Sequence, residues 1–247
     1  MTSVGEEPFK SIWRESTIKA LVGENKTVYH IHPGALIQGK SALTARVTAP
    51  WKNAGKEELD WSDFDEETID CVLMFCYAEH CRAPGQKSFP STLRSCAGDA
   101  LVLHAKVYSF ALRYLVKDLQ HYALGQMIDC FEPLLEEHDF SSEPASARLA
   151  DTVRIIYGNT PSSNVRTDYA RGALCSFIAH CQEKFSQHYI KFQEDTGEFM
   201  KDLAYSLSKI LSLADPEKEF DLKEDLKRDL RWMMAVSNVE KDMRLDN

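Results

Sequence analysis

No stretch of this sequence approaches the roughly 18 uninterrupted apolar residues of a membrane span, so nothing in it reads as transmembrane. The opening run Met1-Thr2-Ser3-Val4-Gly5-Glu6-Glu7 lacks both the basic and the apolar region of a secretory signal. Clustered Lys and Arg are missing too: 29 basic residues face 38 acidic ones, the formal net charge is −9 and the isoelectric point is near 5.4. With no basic patch there is little counterion release to gain on a phosphate backbone, so nucleic acid is not an expected partner. The same balance disfavours an anionic membrane surface. Cysteine occurs seven times, an odd number without regular spacing, so reduced thiols in an intracellular protein are expected, in cytoplasm or nucleus. On that expectation the sequon Asn25-Lys26-Thr27 is a chance match.

Catalytic signatures are equally scarce. There is no G-x-S-x-G elbow and no cysteine in a recognisable active-site pattern. Gly23-Glu24-Asn25-Lys26-Thr27 resembles the end of a phosphate loop but lacks the preceding glycine and the Gly-Lys-Ser/Thr triplet, so it reads as a turn. Cys71, Cys76, His80, Cys81, Cys96 and His104 raise the question of zinc, yet they do not form two close ligand pairs at the usual spacing. Buried small hydrophobes account for the cysteines better. The carboxylates between residues 57 and 67 are dense enough to be a hydrated acidic surface rather than a catalytic pair. His32, just before a turn, reads as a half-buried structural histidine. No catalytic residue, metal or cofactor is expected.

What is present is a folded chain. An apolar fraction of 44% with 10% aromatics supplies a core. Phe9, Ile12 and Trp13 share one helical spacing in a polar lead-in. Ile18–Val22 and Thr27–His32, joined by Gly23-Glu24-Asn25-Lys26, predict a β-hairpin. Residues 34–46 have a helical pattern, and 47–67 are expected to be irregular, interrupted by Pro50, Asn53 and Gly55. Asp65-Glu66-Glu67-Thr68 opens a helix whose stripe is Ile69, Val72, Leu73 and Cys76, ending near Tyr77. After a loop over 82–98 come two helices, one striped by Leu101, Ala105, Tyr108, Ala111 and Leu112, the other by Leu119, Tyr122, Ala123, Met127, Cys130, Phe131 and Leu134.

Ser141-Ser142-Glu143-Pro144 is the best boundary, and everything beyond it reads helical. Leu149, Thr152, Val153, Ile156 and Tyr157 make a stripe closed by Gly158-Asn159-Thr160-Pro161. Leu174, Phe177, Ile178, Cys181 and Phe185 make a second, and Phe199, Leu203, Leu207, Ile210 and Leu211 a third. Past Asp215-Pro216 the composition turns charged, but Leu222, Leu226, Leu230, Met233 and Met234 keep a narrow seam, which serves either to dock on its own domain or to bind a partner.

In order and spacing these segments resemble the BTB/POZ family, and most closely the short BTB proteins of filamentous fungi. His32, Leu36 and Ser41 occupy its H-x-x-x-L-x-x-x-x-S positions, and Ile69–Tyr77 is similar to its F-x-x-x-L-x-x-x-Y helix, with Ile69 in place of Phe. Val107–Leu119, carrying Tyr108, Ala111 and Leu119, is similar to the family's V-Y-x-x-A-x-x-Y-x-(I/V)-x-x-L run. Residues 147–213 resemble the C-terminal half of the same group. The sequence departs from the family at Thr17, where an acid is common, and at Thr44, where an aromatic is common. It departs again at Asn53, where cullin-binding members carry an acid in an apolar-x-acidic triplet, here Trp51-Lys52-Asn53.

The resemblance implies an α+β architecture: a lead-in over 1–15, a BTB/POZ domain of short strands capped by helices over 16–140, and an all-helical extension over 141–247. It implies a non-catalytic adaptor that binds proteins, as a homodimer or on the scaffold of a cullin-type ubiquitin ligase. The alternative is a homotypic or transcription-associated assembly module without a ligase role. An enzyme would need a convergent polar pocket, which these residues do not suggest. Trp51, Lys52 and Asn53 are the candidate protein-binding residues, with Arg113 and Tyr114 beside them; His32, Leu36, Ser41, Tyr77, Tyr108, Ala111 and Leu119 are expected to be structural.

Overall fold

The computed structural model describes residues 15–37, 41–48, 58–81, 97–136, 143–161, 168–181 and 197–213, together with Arg228. The protein is α+β and mostly helical, with one three-stranded sheet among the described residues. The chain divides into two compact units interleaved in sequence: Met1–Thr92 with Phe110–Gln120, and Leu93–Ser109 with His121–Asn247. The lead-in stripe Phe9, Ile12 and Trp13 lies outside the described residues.

In the first unit, β1 (Ile18–Val22) and β2 (Thr27–Ile31) pair antiparallel with Ile18 opposite Ile31 and Val22 opposite Thr27. The turn between them works because Gly23 takes φ 70 and Lys26 φ 52, so two of its residues sit in the left-handed region. Ile18, Ala20 and Val22 face the core while Lys19 points to water, the period-2 pattern of a half-buried sheet. Where an irregular stretch is expected, Glu58–Trp61 forms β3, which runs parallel to β1 and gives the strand order β2-β1-β3. Leu59 and Trp61 turn inward and Glu58 and Asp60 outward, an alternation over four residues and therefore weak as a signal.

A 3-10 turn at Pro33–Leu36 buries Ala35 and Leu36. Helix α1 (Ala42–Thr48) follows, with Ser41 as its cap: Ser41 Oγ accepts the Thr44 N–H at 3.0 Å. Helix α2 (Glu66–Cys81) is capped in the same way by Asp65, whose Oδ1 accepts the Thr68 N–H at 2.8 Å and hydroxyl at 2.7 Å. It buries Ile69, Val72, Phe75 and Cys76, continuing one turn past Tyr77.

Helices α3 (Ala97–Arg113) and α4 (Lys117–Asp129) contribute residues to both units. The apolar stripe expected to form one helix through Leu134 is broken: α4 ends at Asp129, and α5 (Phe131–Glu136) begins after Cys130. Pro133 explains the break, because it has no N–H to offer the Asp129 carbonyl four residues back and its ring crowds that oxygen.

The second unit adds α6 (Glu143–Asn159), α7 (Tyr169–His180) and α8 (Gly197–Leu213). Every residue of α7 from Ala170 to His180 is buried, so this helix is covered on all sides. Phe131 stacks on Phe177 with ring centroids 4.3 Å apart. Leu149, Thr152, Val153, Ile156 and Tyr157 of α6 are all buried, as their spacing predicts. Phe185 and the Leu222–Met234 seam lie outside the described residues.

Candidate functional site

Among the described residues of the first unit, the turn between α3 and α4 has an unusual backbone. The Val116 N–H reaches back to the Ala111 carbonyl at 2.9 Å and the Leu115 N–H to that of Leu112 at 3.3 Å, the bonding of a Schellman helix end. That motif needs a left-handed residue just past the helix, usually glycine. Here it is Leu115, at φ 56, and its side chain is 55% exposed. Arg113 lies beside it on the surface, paired with Asp63 at 2.9 Å and placed 5.3 Å above the Phe64 ring.

Tyr114 behaves differently from its two neighbours. It is 6% exposed and packs against Phe110 at 4.6 Å and Trp61 at 6.4 Å between ring centroids. Its carbonyl accepts the Ala42 N–H at 3.0 Å and that of Leu43 at 3.3 Å, tying α1 to the α3–α4 turn. Burial raises the pKa of its hydroxyl, although Arg46 and Arg113 pull the other way. Tyr114 therefore offers a partner no surface, and Arg113 and Leu115 are the exposed residues of this turn. Trp51, Lys52 and Asn53 lie outside the described residues.

Two residues from separate motifs meet in the same unit. The backbone N–H of His32 donates to the Tyr77 hydroxyl at 3.1 Å, and His32 Nδ1 lies 3.0 Å from that oxygen. The rings meet edge to face at 6.1 Å. His32 is half-buried, directly after β2, as a structural histidine would be. Leu36, Ala111 and Leu119 are fully buried. Tyr108, 1% exposed in the second unit, is hydrogen-bonded to the Asp168 carboxylate.

The second unit contains a polar cluster that the sequence does not announce. Arg171, 1% exposed on the buried helix α7, donates from Nε to Thr160 Oγ1 at 2.6 Å and from Nη2 to the Thr160 carbonyl at 3.0 Å. Its Nη1 pairs with Glu198 at 2.8 Å and lies 4.0 Å from Asp202, while the guanidinium sits 4.3 Å above the Tyr157 ring. The Tyr157 hydroxyl donates to Asp202 Oδ2 at 3.0 Å and lies 3.1 Å from Cys175 Sγ. Because the phenol proton goes to Asp202, Cys175 is left as the donor to the phenol oxygen. The one hint in the sequence is a lone cation in the apolar run Tyr169–His180.

This arrangement has the parts of a reactive site but the wrong electrostatics for one. Burial pushes the Cys175 thiol up to about 12 and the Tyr157 hydroxyl well above its ordinary range. Burial, reinforced by neighbouring acids, likewise lifts Cys71 to about 11 and Cys130 to about 12. The thiolate is the nucleophile, so these thiols are held in their inert form. Asp168 caps α7 by accepting the Arg171 N–H at 3.0 Å, yet burial still raises its pKa. Among the described residues no group of three His, Cys, Asp or Glu side chains is placed to hold a metal ion, and the side chains of His80, Cys81 and Cys96 lie outside them. No helix of the described residues is long and apolar enough to cross a membrane. The chain matches no known family's sequence profile, no curated protein and no solved structure.

Proposed function

We propose that this chain is a non-catalytic protein–protein interaction module, an adaptor of BTB type whose partner is a second copy or a cullin scaffold. The observation that carries the reading is Leu115. A left-handed backbone costs an L-residue about 1–2 kcal/mol, and glycine avoids most of that cost. Leucine at φ 56 would be worth its strain if it contributed to the core, but its side chain is 55% exposed. An exposed apolar residue held on a strained turn beside a cation suits a protein surface with an apolar pocket. The meeting of His32 with Tyr77 adds support, since it joins two motifs on which the BTB resemblance rests. The raised pKa values of Cys71, Cys130 and Cys175, three of the seven cysteines, agree with the reading, since burial disfavours their thiolate form.

Light scattering on the purified chain tests the first partner: at micromolar concentration a dimer reports about twice the 28.1 kDa chain mass. Calorimetric titration with a purified cullin scaffold tests the second. Leu115→Gly should weaken whichever association is present while leaving the melting temperature equal or higher. In the cullin titration Asn53→Glu should tighten binding by restoring a charge-assisted contact, and Trp51→Ala should weaken it. A dimer without cullin binding leaves the homotypic assembly reading; a monomer at tens of micromolar that ignores the scaffold removes both.

A further inference from the structure

We propose that the outward face of the sheet in the first unit docks a second copy of this chain, in a two-fold arrangement that sets β2 of each copy over β3 of the other. The inference rests on the self-association reading above and gives it a contact. Strand register fixes two rows across this face: His30, Lys19 and Glu58 in one, Val28, Leu21 and Asp60 in the other. These residues alternate with the inward ones, Ile18, Ala20, Val22, Ile31, Leu59 and Trp61, which are buried. Lys19, His30, Glu58 and Asp60 are exposed, and Leu21 is half-buried. Val28, opposite Leu21, is 51% exposed, so the face also carries an apolar pair in contact with water.

Charge on the face is sorted by strand. The outward residues of β2 and β1 include the bases His30 and Lys19, whereas those of β3 are both acids, Glu58 and Asp60. Ser62 fixes Asp60 at this edge, donating to its Oδ1 from the N–H at 3.0 Å and from the hydroxyl at 2.7 Å. Such a face is complementary to itself. A two-fold axis parallel to β1 places each β2 over the partner's β3, so His30 faces the partner's Glu58 twice over. Leu21 then meets its equivalent on the axis, beside Val28. Lys19 also meets its equivalent, with its cross-strand neighbour Glu58 alongside it on each copy. An axis running across the strands would instead set the acids of β3 against the acids of the partner's β3. Stacked sheets lie about 10 Å apart, a gap that a histidine and a glutamate span together. The acidic edge leads on to the turn already described, since Asp63, two residues past β3, pairs with Arg113.

Within one chain β1 separates His30 from Glu58, about 10 Å apart along the sheet, so the two are not direct neighbours. The test uses that separation. His30→Glu and Glu58→Lys are made in separate full-length chains and followed by light scattering over a concentration series. Each variant alone should dimerise about tenfold more weakly than wild type, because its dimer sets acid against acid or base against base at both contacts. Mixed in equal amounts, the two should regain wild-type affinity: the new acid of one chain faces the new base of the other, and the second contact is the native one. Rescue on mixing cannot arise inside a single chain. Single variants that dimerise like wild type overturn this contact and leave self-association standing, whereas a wild-type monomer at tens of micromolar removes both. Folded variants that stay weak when mixed also overturn the contact. If circular dichroism shows either variant unfolded, Val28→Asp decides: it sets an acid over the partner's Asp60 and must weaken the dimer about tenfold, and an unchanged dimer overturns the proposal.

Discussion

The Tyr157 hydroxyl donates to Asp202 at 3.0 Å, joining α6 to α8 across 45 residues of chain, and the same Asp202 lies 4.0 Å from the buried guanidinium of Arg171. One cation thus holds together three segments distant in sequence: Thr160 at the end of α6, its own helix α7, and Glu198 with Asp202 on α8. The arrangement is expensive to break. Arg171→Met leaves Asp202 buried without its cation and Thr160 without two donors, and losses of this type run to about 3–5 kcal/mol. Arg171→Lys should recover little, since a lysine cannot reproduce the Nε and Nη2 bonds to Thr160. Denaturant unfolding followed by circular dichroism measures both; a lysine variant as stable as wild type would reduce the cluster to its bare charge.

Thiol chemistry gives a second outcome. Cys71, Cys130 and Cys175 are buried and their pKa values are raised, so in native protein at mildly alkaline pH they should resist iodoacetamide for as long as the fold holds. Adding denaturant should release all three at once. Peptide mapping identifies the alkylated sites, and rapid native alkylation of any one of them would count in favour of the enzyme reading.

Tyr29 supplies a pH dependence. Its hydroxyl donates to Asp70 Oδ1 at 3.0 Å, and burial followed by the Asp70 contact raises its pKa from 10.0 to about 12. Between those values the folded state keeps the phenol proton and the unfolded state has lost it. The folded state therefore binds more protons, and stability falls as pH rises through that window. The contribution is fully present below pH 10 and gone above the folded value. Tyr29→Phe should flatten this part of the alkaline stability profile, most visibly near pH 11. An unchanged slope would assign the loss to other phenols, such as Tyr114.

The parts of the fold legible in the sequence are those fixed by neighbours along the chain. The hairpin follows from alternation around Gly23, α2 from its Asp65 cap, and the buried face of α6 from five residues at helical spacing. What the sequence hides is set by distant partners. β3 exists because β1 has a second edge to pair, and Glu58–Trp61 is too short to declare itself. Arg171 looks like any surface cation until Glu198 and Asp202 arrive some thirty residues later. Tyr114 adjoins Arg113 and so reads as a surface residue, yet the turn of the helix directs its ring into the core beside Trp61. Nor does a linear reading suggest that the two units interleave, with α3 and α4 contributing to both.

His32 and Tyr77 offer a test of the motif contact. Tyr77→Phe removes the hydroxyl that accepts the His32 N–H and meets its ring nitrogen, leaving a half-buried amide without that partner. The expected loss is about 1 kcal/mol, in the range for one satisfied hydrogen bond. His32→Ala should cost a similar amount, and the double variant less than the sum, because both changes remove one shared contact. Additive losses in thermal unfolding would show that the two residues act separately.

Leu115→Gly separates folding from binding most sharply. Leu115 sits at φ 56 in a position whose backbone bonds, Val116 to Ala111 and Leu115 to Leu112, define a glycine-favouring helix end. Substitution relieves roughly 1–2 kcal/mol of left-handed strain. Glycine also widens the unfolded ensemble, which takes back roughly 0.5–1 kcal/mol. With the residue 55% exposed, little burial is forfeited, so the net expectation is a gain of several tenths to about 1 kcal/mol. For a domain-sized transition that raises the melting temperature by a few degrees. Leu115→Ala is the control, because it keeps the strain and removes most of the apolar surface. If Leu115 serves a partner, both variants weaken association while only glycine stabilises the fold. Stabilisation by glycine with association untouched in both would leave the leucine without a role in binding, and Arg113 would then be the remaining exposed candidate of this turn.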